Sequence, residues 1–316
     1  MKNNIGAYIK AHKPNIQKDR GAAGMSDLEQ TAIERLKTAS EMSLRLYKQP
    51  LVITYSGGKD SDVLLHLAEI SGIPFEVLHS LTTADAPQTV YHVRDTFKRL
   101  EEKGIKCTVD KHKQPDGTNI TMWNLIPRKL MPPTRVVRYC CAILKEGGGK
   151  DRFIATGVRW DESAARKKNR GSLEIIARKK EDSLILSNDN TEDRMLFETC
   201  QLKGNRVINP MIDWKTDDVL NYVDSEQIKM NPLYDCGFTR VGCIGCPMAG
   251  KQNREFQFSM FPKYKNSYIR AFEKMLDVRM SKKKPTIWRT GVDVFHWWMG
   301  DGVLPGQEVL DGFEEI

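Results

Sequence analysis

The apolar positions of this chain switch between two spacings, and the switches mark its elements. Leu51-Val-Ile-Thr-Tyr55 is a short continuous apolar run, the pattern of a strand buried on both faces. Val63, Leu64 and Leu67 then fall on one stripe, which predicts a helix beginning near Asp60–Ser61. Upstream, Leu28, Ile33, Leu36, Ala39, Met42 and Leu46 recur at helical spacing and predict a helix from Ser26 to about Tyr47 that covers the sheet. Phe75–His79 and Lys106–Asp110 read as strands, with a helix from Pro87 to about Lys103 between them. Phe153–Val158 reads as another buried strand. Repeated strand–helix–strand crossovers predict an α/β fold with a doubly wound parallel sheet. A short helix is expected at Met122, and a longer one capped at Thr216 with Asp217 and Asp218 in its first turn. Two more are expected at Tyr264–Met280 and Trp288–Met299. Residues 167–205 carry both charges without a long period and predict a loop insertion with a hairpin; residues 1–26 read as an arm and 303–316 as a loose acidic tail. The expected organisation is an N-terminal arm and helix over 1–48, an α/β domain over 49–250 and a small helical C-terminal subdomain over 251–316.

Between the first strand and its helix stands Ser56-Gly57-Gly58-Lys59-Asp60-Ser61. Glycines let the backbone turn sharply and approach a ligand closely. The helix start beyond them offers free N–H groups and the positive end of a dipole, and Lys59 adds a fixed charge, which together make an anion site. The two glycines alone would also suit an ordinary βα turn. No G-x-x-x-x-G-K-[ST] phosphate loop is present. The segment resembles the S-G-G-x-D-S pyrophosphate loop of the PP-loop ATP pyrophosphatases, whose fold is adenine nucleotide alpha-hydrolase-like. The resemblance implies that Ser56, Gly57, Gly58, Lys59, Asp60 and Ser61 hold the β,γ-pyrophosphate of ATP, or the phosphate–sulfate end of an adenylyl sulfate.

Charge and cysteines extend this picture. The net charge of +8 and the basic, aromatic C-terminal third (Arg254, Phe256, Phe258, Phe261, Lys263, Tyr264, Lys265, Tyr268, Arg270, then Lys282-Lys-Lys284) suit a polyanionic partner, with rings available to stack on bases. The alternative is a helical subdomain whose rings form its core. No apolar run approaches membrane-spanning length and the N-terminus lacks an apolar signal core, so a cytoplasmic protein without a membrane partner is expected. In a reducing compartment, clustered cysteines point to metal or redox chemistry. Cys243-Ile-Gly-Cys246 has the spacing that turns two sulfurs toward one centre, and by itself fits a zinc half-site or a redox pair. Cys140 and Cys141 are adjacent, a poor geometry for a mutual disulfide.

Together these cysteines make the chain similar to the phosphoadenosine/adenosine phosphosulfate reductase family, whose iron–sulfur members carry a Cys-Cys pair and a distant C-x-x-C. The resemblance implies that Cys140, Cys141, Cys243 and Cys246 hold one [4Fe–4S] cluster. Cys236 is a substitute ligand, a sulfur-accepting thiol or a plain turn residue, while Cys107 and Cys200 read as structural. The family's G-x-R-x-x-[EQ]-S-x-x-R segment is matched by Gly157, Arg159, Glu162, Ser163 and Arg166, and Ile208–Trp214 and Asn231-Pro-Leu-Tyr234 match two others. By that resemblance Lys59, Asp60, Arg159 and Arg166 act on the phosphates, Lys145 near the cluster, and Asp60 helps place Mg²⁺. Gly157, His79, Thr82 and Thr83 lie at the nucleotide.

The chain departs from the reductases at one point. Their nucleophilic cysteine sits in a C-terminal E-C-G-[LI]-H motif, and no cysteine follows Cys246 here. The expected chemistry is therefore ATP cleavage coupled to sulfur transfer, as in the sulfurtransferase component of DNA phosphorothioation systems. Nucleic acid would be the acceptor and a cysteine desulfurase the sulfur donor; a homo-oligomer stays open. The alternatives are an adenylyl sulfate reductase using Cys236 or a partner's thiol, and a non-catalytic nucleotide- or DNA-binding regulator.

Overall fold

The computed structural model describes residues 22–149, 151–176, 184–186 and 205–300. The arm before residue 22, the acidic tail, Cys200 and most of the charged insertion lie outside them. In chain order the elements are α1 Ala22–Tyr47, β1 Leu51–Thr54, α2 Lys59–Ile70, β2 Phe75–Ser80, α3 Pro87–Glu102, β3 Cys107–Asp110, α4 Met122–Lys129, α5 Tyr139–Leu144 and β4 Phe153–Ala155. A 3₁₀ turn at Trp160–Glu162 follows, then α6 Ala164–Asn169, β5 Leu173–Ile176, β6 Leu184–Leu186, β7 Asn205–Ile208, α7 Thr216–Ser225, α8 Lys251–Met260, α9 Pro262–Ser281 and α10 Gly291–Met299.

The sheet has the order β3-β2-β1-β4-β7-β5-β6. β1 is parallel to β2 and β4, and β4 is parallel to β7, so the centre is the parallel sheet expected. The expected hairpin is β5–β6, antiparallel, and it joins the sheet through an antiparallel pairing with β7. The strand order turns back at β1, whose neighbours are β2 on one side and β4 on the other. Ligands in open α/β sheets sit at such a switch point, beyond the strands' carboxyl ends. The Ser56–Ser61 loop leaves β1 at that place, and the segment after β4 leaves beside it.

The described residues form two compact units, each woven from separated stretches. One draws on the described residues up to His79, on Pro87–Val109 and on those from Gly148 to Val241; the other on Ser80–Ala86, Asp110–Gly147 and the described residues from Gly242 onward. They do not follow the sequence-order boundaries at 48/49 and 250/251, because segments far apart in sequence pack together. The core of the first unit gathers Leu36 and Ala39 of α1, Leu51 and Ile53 of β1, Leu64 and Leu67 of α2, Phe153, and Trp214 and Tyr222 around α7. In the second unit Phe258, Tyr268, Phe272, Phe295 and Trp298 are buried, with the Tyr268 and Trp298 ring centroids 4.7 Å apart. Of the rings named as a possible stacking surface, Phe258 and Tyr268 are core, Phe261 and Tyr264 are half-buried and Phe256 is exposed, so the alternative of a ring-filled helical core holds for two of the five. Arg254 lies over Trp298 at 4.1 Å.

The cap of α7 also differs from expectation. Lys215 is the N-cap, and Asp218 reaches back to its N–H at 2.8 Å. Thr216 stands one position inside the helix, where Asp161 takes both its N–H at 2.8 Å and its hydroxyl at 2.7 Å.

Candidate nucleotide loop and thiol site

In the first unit, the loop after β1 is built around one hydroxyl. Ser61 Oγ donates to Gly58 O at 2.7 Å and accepts from Gly58 N at 3.1 Å and Ser56 N at 3.2 Å. Ser61 is buried, so it shapes the cradle from within. Gly57 takes φ +72°, and a Cβ there would stand 3.0 Å from Val93 Cγ2. Asn231 fastens the loop from behind, donating Nδ2 to Gly57 O at 2.9 Å and to Thr89 Oγ1 at 3.1 Å. In the first turn of α2 the Ser61 N–H is taken by Gly58 O at 2.8 Å, which leaves the Lys59 and Asp60 N–H groups without a helical acceptor. One of them, Lys59 N–H, donates to the Tyr234 hydroxyl at 2.9 Å.

The charged residues of the loop are tied to one another. Asp60 Oδ1 accepts from Arg159 Nε at 2.8 Å, and Asp60 Oδ2 lies 3.3 Å from Lys59 Nζ. The Arg159 side chain is 1% exposed; its Nη1 faces Trp214 O at 3.2 Å and Asp161 Oδ2 at 3.6 Å, and its Nη2 stands 3.5 Å from Thr216 Oγ1. A guanidinium this deep must be paired, and here it holds Asp60 in place. Gly157 permits the approach, because an added Cβ would come within 2.9 Å of Asp60 O. Arg166 is partly exposed and paired with Glu162; burial, then Arg240 and Arg170, depress its pKa against the pull of Glu162. His79 is buried, its Nδ1 2.8 Å from Tyr55 O, which makes it a brace of the sheet edge rather than an open nucleotide contact.

One buried group escaped the motif reading. Tyr55 Oη donates to Asp62 Oδ1 at 2.6 Å, and His92 Nε2 lies 2.9 Å from the same oxygen. Asp62 directly follows the motif and is buried on α2 away from the Val63, Leu64 and Leu67 stripe, so the apolar spacing gave no signal for it. Burial, followed by Asp62, raises the Tyr55 pKa far above the usual phenol value.

In the second unit, the Cys243–Cys246 knuckle is clamped by both the segment before α3 and the C-terminal helices. Ile244 N–H donates to Ala84 O at 2.8 Å, Tyr268 Oη to Ile244 O at 2.9 Å, and Gly245 N–H to Gln257 Oε1 at 2.8 Å. Gly245 takes φ +72° with the Phe258 ring against it. Cys140 and Cys141 stand in the short helix α5. The four thiols are half-buried and close enough to shift one another's ionisation. Cys141 is drawn below the usual thiol value by Cys140 first, then, against burial, by Arg138 and Lys145. Lys145 is held above its usual value by Cys243 first, then, against desolvation, by Asp85, Cys141 and Cys246. Cys236 is exposed and is not among the groups that bear on these thiols. Cys107 is half-buried, and burial pushes its thiol up to about 11.

Thr82 is also committed here. Its hydroxyl donates to Asp85 Oδ2 at 2.6 Å, and Cys243 Sγ lies 3.3 Å away. Thr83, at φ +63°, accepts the Met122 N–H at 2.9 Å. Both threonine hydroxyls have a partner within this unit, as a hydroxyl removed from water requires.

Four sulfurs with two flanking cations have the donor chemistry of an iron–sulfur or zinc site. In this structure, among the described residues, no three His, Cys, Asp or Glu side chains converge at metal-binding range. Mg²⁺ finds no all-protein cage either, and Asp60 already answers two cations. No helix among the described residues is long and apolar enough to cross a membrane.

Residues 50–249 match the phosphoadenosine phosphosulfate reductase domain family. An uncharacterised protein of Methanocaldococcus jannaschii is 25% identical over 274 residues, covering 87% of this chain and 56% of its own length. A second M. jannaschii relative is covered over 50% of its length, so the chain spans about half of these relatives. Subunit 2 of a sulfate adenylyltransferase from Streptomyces lavendulae is 29% identical over 72% of this chain and 69% of that one. An adenosine 5'-phosphosulfate reductase from Bacillus thuringiensis is 24% identical over 64% of this chain and 75% of that one. Among solved structures, a phosphoadenylyl-sulfate reductase from Candida auris aligns over 71% of this chain and 96% of that one, with 16% identity and a TM-score of 0.41.

Proposed function

This chain belongs to the phosphoadenosine phosphosulfate reductase domain family, and on that premise we propose that it is an ATP pyrophosphatase that adenylylates an acceptor for sulfur insertion. The favoured acceptor is a nucleic-acid backbone phosphate, as in DNA phosphorothioation. The carrying observation is the cradle of Ser56–Ser61: a glycine at φ +72°, a helix N-terminus, and Lys59 beside it. That geometry suits two linked phosphoryl groups.

In this reading an acceptor oxygen attacks the α-phosphorus of ATP and the bond to the β-phosphate oxygen breaks. Pyrophosphate leaves with its charge answered by the N–H groups of α2 and by Lys59. Asp60, fixed by Arg159, sets the position of Lys59. Mg²⁺ accompanies the nucleotide, as is usual for a cation that prefers phosphate oxygens and water. Sulfur from a cysteine desulfurase arrives as a persulfide; its terminal sulfur attacks the acceptor's phosphorus and displaces AMP, and a thiol reductant then cleaves the S–S bond, leaving the sulfur on phosphorus and the carrier thiol as a mixed disulfide with the reductant. Cys140, Cys141, Cys243 and Cys246 would hold a [4Fe–4S] cluster, which when bound offers redox and sulfur-ligating chemistry.

The test is product analysis with ATP and with adenylyl sulfate. AMP and pyrophosphate from ATP, with no sulfite from adenylyl sulfate, is the expected result; sulfite release would establish the reductase instead. Lys59→Met should lower kcat/KM for ATP by about 10- to 100-fold without unfolding the chain, since Lys59 makes only a loose ion pair at 3.3 Å.

A further inference from the structure

Tyr234 closes the turn Asn231-Pro-Leu-Tyr in the first unit. Its hydroxyl oxygen accepts the Lys59 N–H at 2.9 Å. A phenol oxygen can accept a hydrogen bond while its own proton remains available to donate. Among the described residues no acceptor takes its proton. The hydroxyl stands 3.5 Å from where a Cβ on Gly58 would be, beside Ser56 Oγ, and so lies against the loop. Burial, together with Asp60 and Asp62, pushes the phenol up to about 12. It therefore stays protonated at neutral pH and is a donor.

We propose that the Tyr234 hydroxyl is a phosphate-binding donor of the loop, giving its hydrogen bond to an oxygen of the bound pyrophosphate group. This rests on the reading of Ser56–Ser61 as a pyrophosphate cradle. The turn is built to hold the hydroxyl still. Asn231 donates to Gly57 O at 2.9 Å, Leu233 N–H to Asn231 Oδ1 at 3.1 Å, and Tyr234 N–H to Asn231 O at 3.1 Å. A donor fixed in advance loses little freedom when the anion arrives. The Lys59 N–H that feeds its oxygen polarises the O–H and strengthens its donation. The same turn thus shapes the loop through Asn231 and completes it through Tyr234.

The experiment is calorimetric titration of the full chain with inorganic pyrophosphate, ATP and AMP, for the natural protein and for Tyr234→Phe. The expected result is a loss of about 10- to 100-fold in pyrophosphate and ATP affinity, the effect of one hydrogen bond to a charged group, with AMP affinity unchanged. Undiminished or tighter pyrophosphate binding by Tyr234→Phe, in a protein whose natural form binds ATP, overturns the proposal and leaves the cradle standing. Failure of the natural protein to bind either pyrophosphate or ATP overturns the cradle and this proposal together. If the variant is less stable, the rise in Tm produced by pyrophosphate is compared with that produced by AMP, each against the variant's own ligand-free Tm. Selective loss of the pyrophosphate rise supports the proposal, and equal rises refute it.

Discussion

At the scale of single residues, the pair Asp60–Arg159 shows what a motif leaves out. The S-G-G-x-D-S pattern marks Asp60 as a residue of the site, and the downstream arginine segment marks Arg159. Neither pattern shows that the two bind each other at 2.8 Å with the guanidinium 1% exposed. That contact changes which variant tests the site. Asp60→Ala would strand a buried cation and should cost about 3 kcal/mol or more of stability, read as a lowered urea midpoint. Asp60→Asn keeps a hydrogen-bond acceptor for Arg159 and should lose less than half as much. Equal losses in the two variants would show that the buried arginine is not what Asp60 supports. Ser61 carries the same lesson, since its place in the motif suggests a ligand while its hydroxyl is occupied by Gly58 O and two loop N–H groups.

At the scale of elements, β1, α2 and the strand–helix–strand that follows them are legible, because each joins a clean periodicity to glycine or proline punctuation. The helices α5 and α8 are not. α5 has only six residues, too short to show a period. α8 carries Phe256 and Phe258 among polar neighbours, which reads equally as a basic aromatic surface. Its packing is decided by Gly245, where the knuckle turns at φ +72° against Phe258. Gly245→Ala adds both a left-handed strain and an overlap with that ring. It should cost about 2–4 kcal/mol, measured by urea unfolding of the full chain, and should broaden the near-ultraviolet aromatic signal of the second unit. An unchanged midpoint would mean the knuckle does not rest on that ring.

At the scale of the whole molecule, the +8 charge remains largely solvent-facing: Lys282, Lys283 and Lys284 are all exposed. The proposed nucleic-acid acceptor predicts salt-dependent binding of duplex DNA, followed by fluorescence anisotropy. Replacing those three lysines by alanine should make the slope of log K against log salt shallower by about two; an identical slope would remove them from the contact surface. The interior rings place a limit on that surface, for Phe258, Tyr268, Phe272, Phe295 and Trp298 are unavailable for stacking. The sequence by itself determined the family, the parallel centre of the sheet and the anion-binding turn, because these depend on local periodicity and on backbone conformations only certain residues adopt. Tertiary structure alone decided that Arg159 serves Asp60, that Thr82 turns to Asp85 and Cys243, and that Tyr234 meets the loop. Apart from Thr82 and Asp85, the partners lie far apart along the chain, and the cost of leaving a buried polar group unpaired, rather than any local preference, selects them.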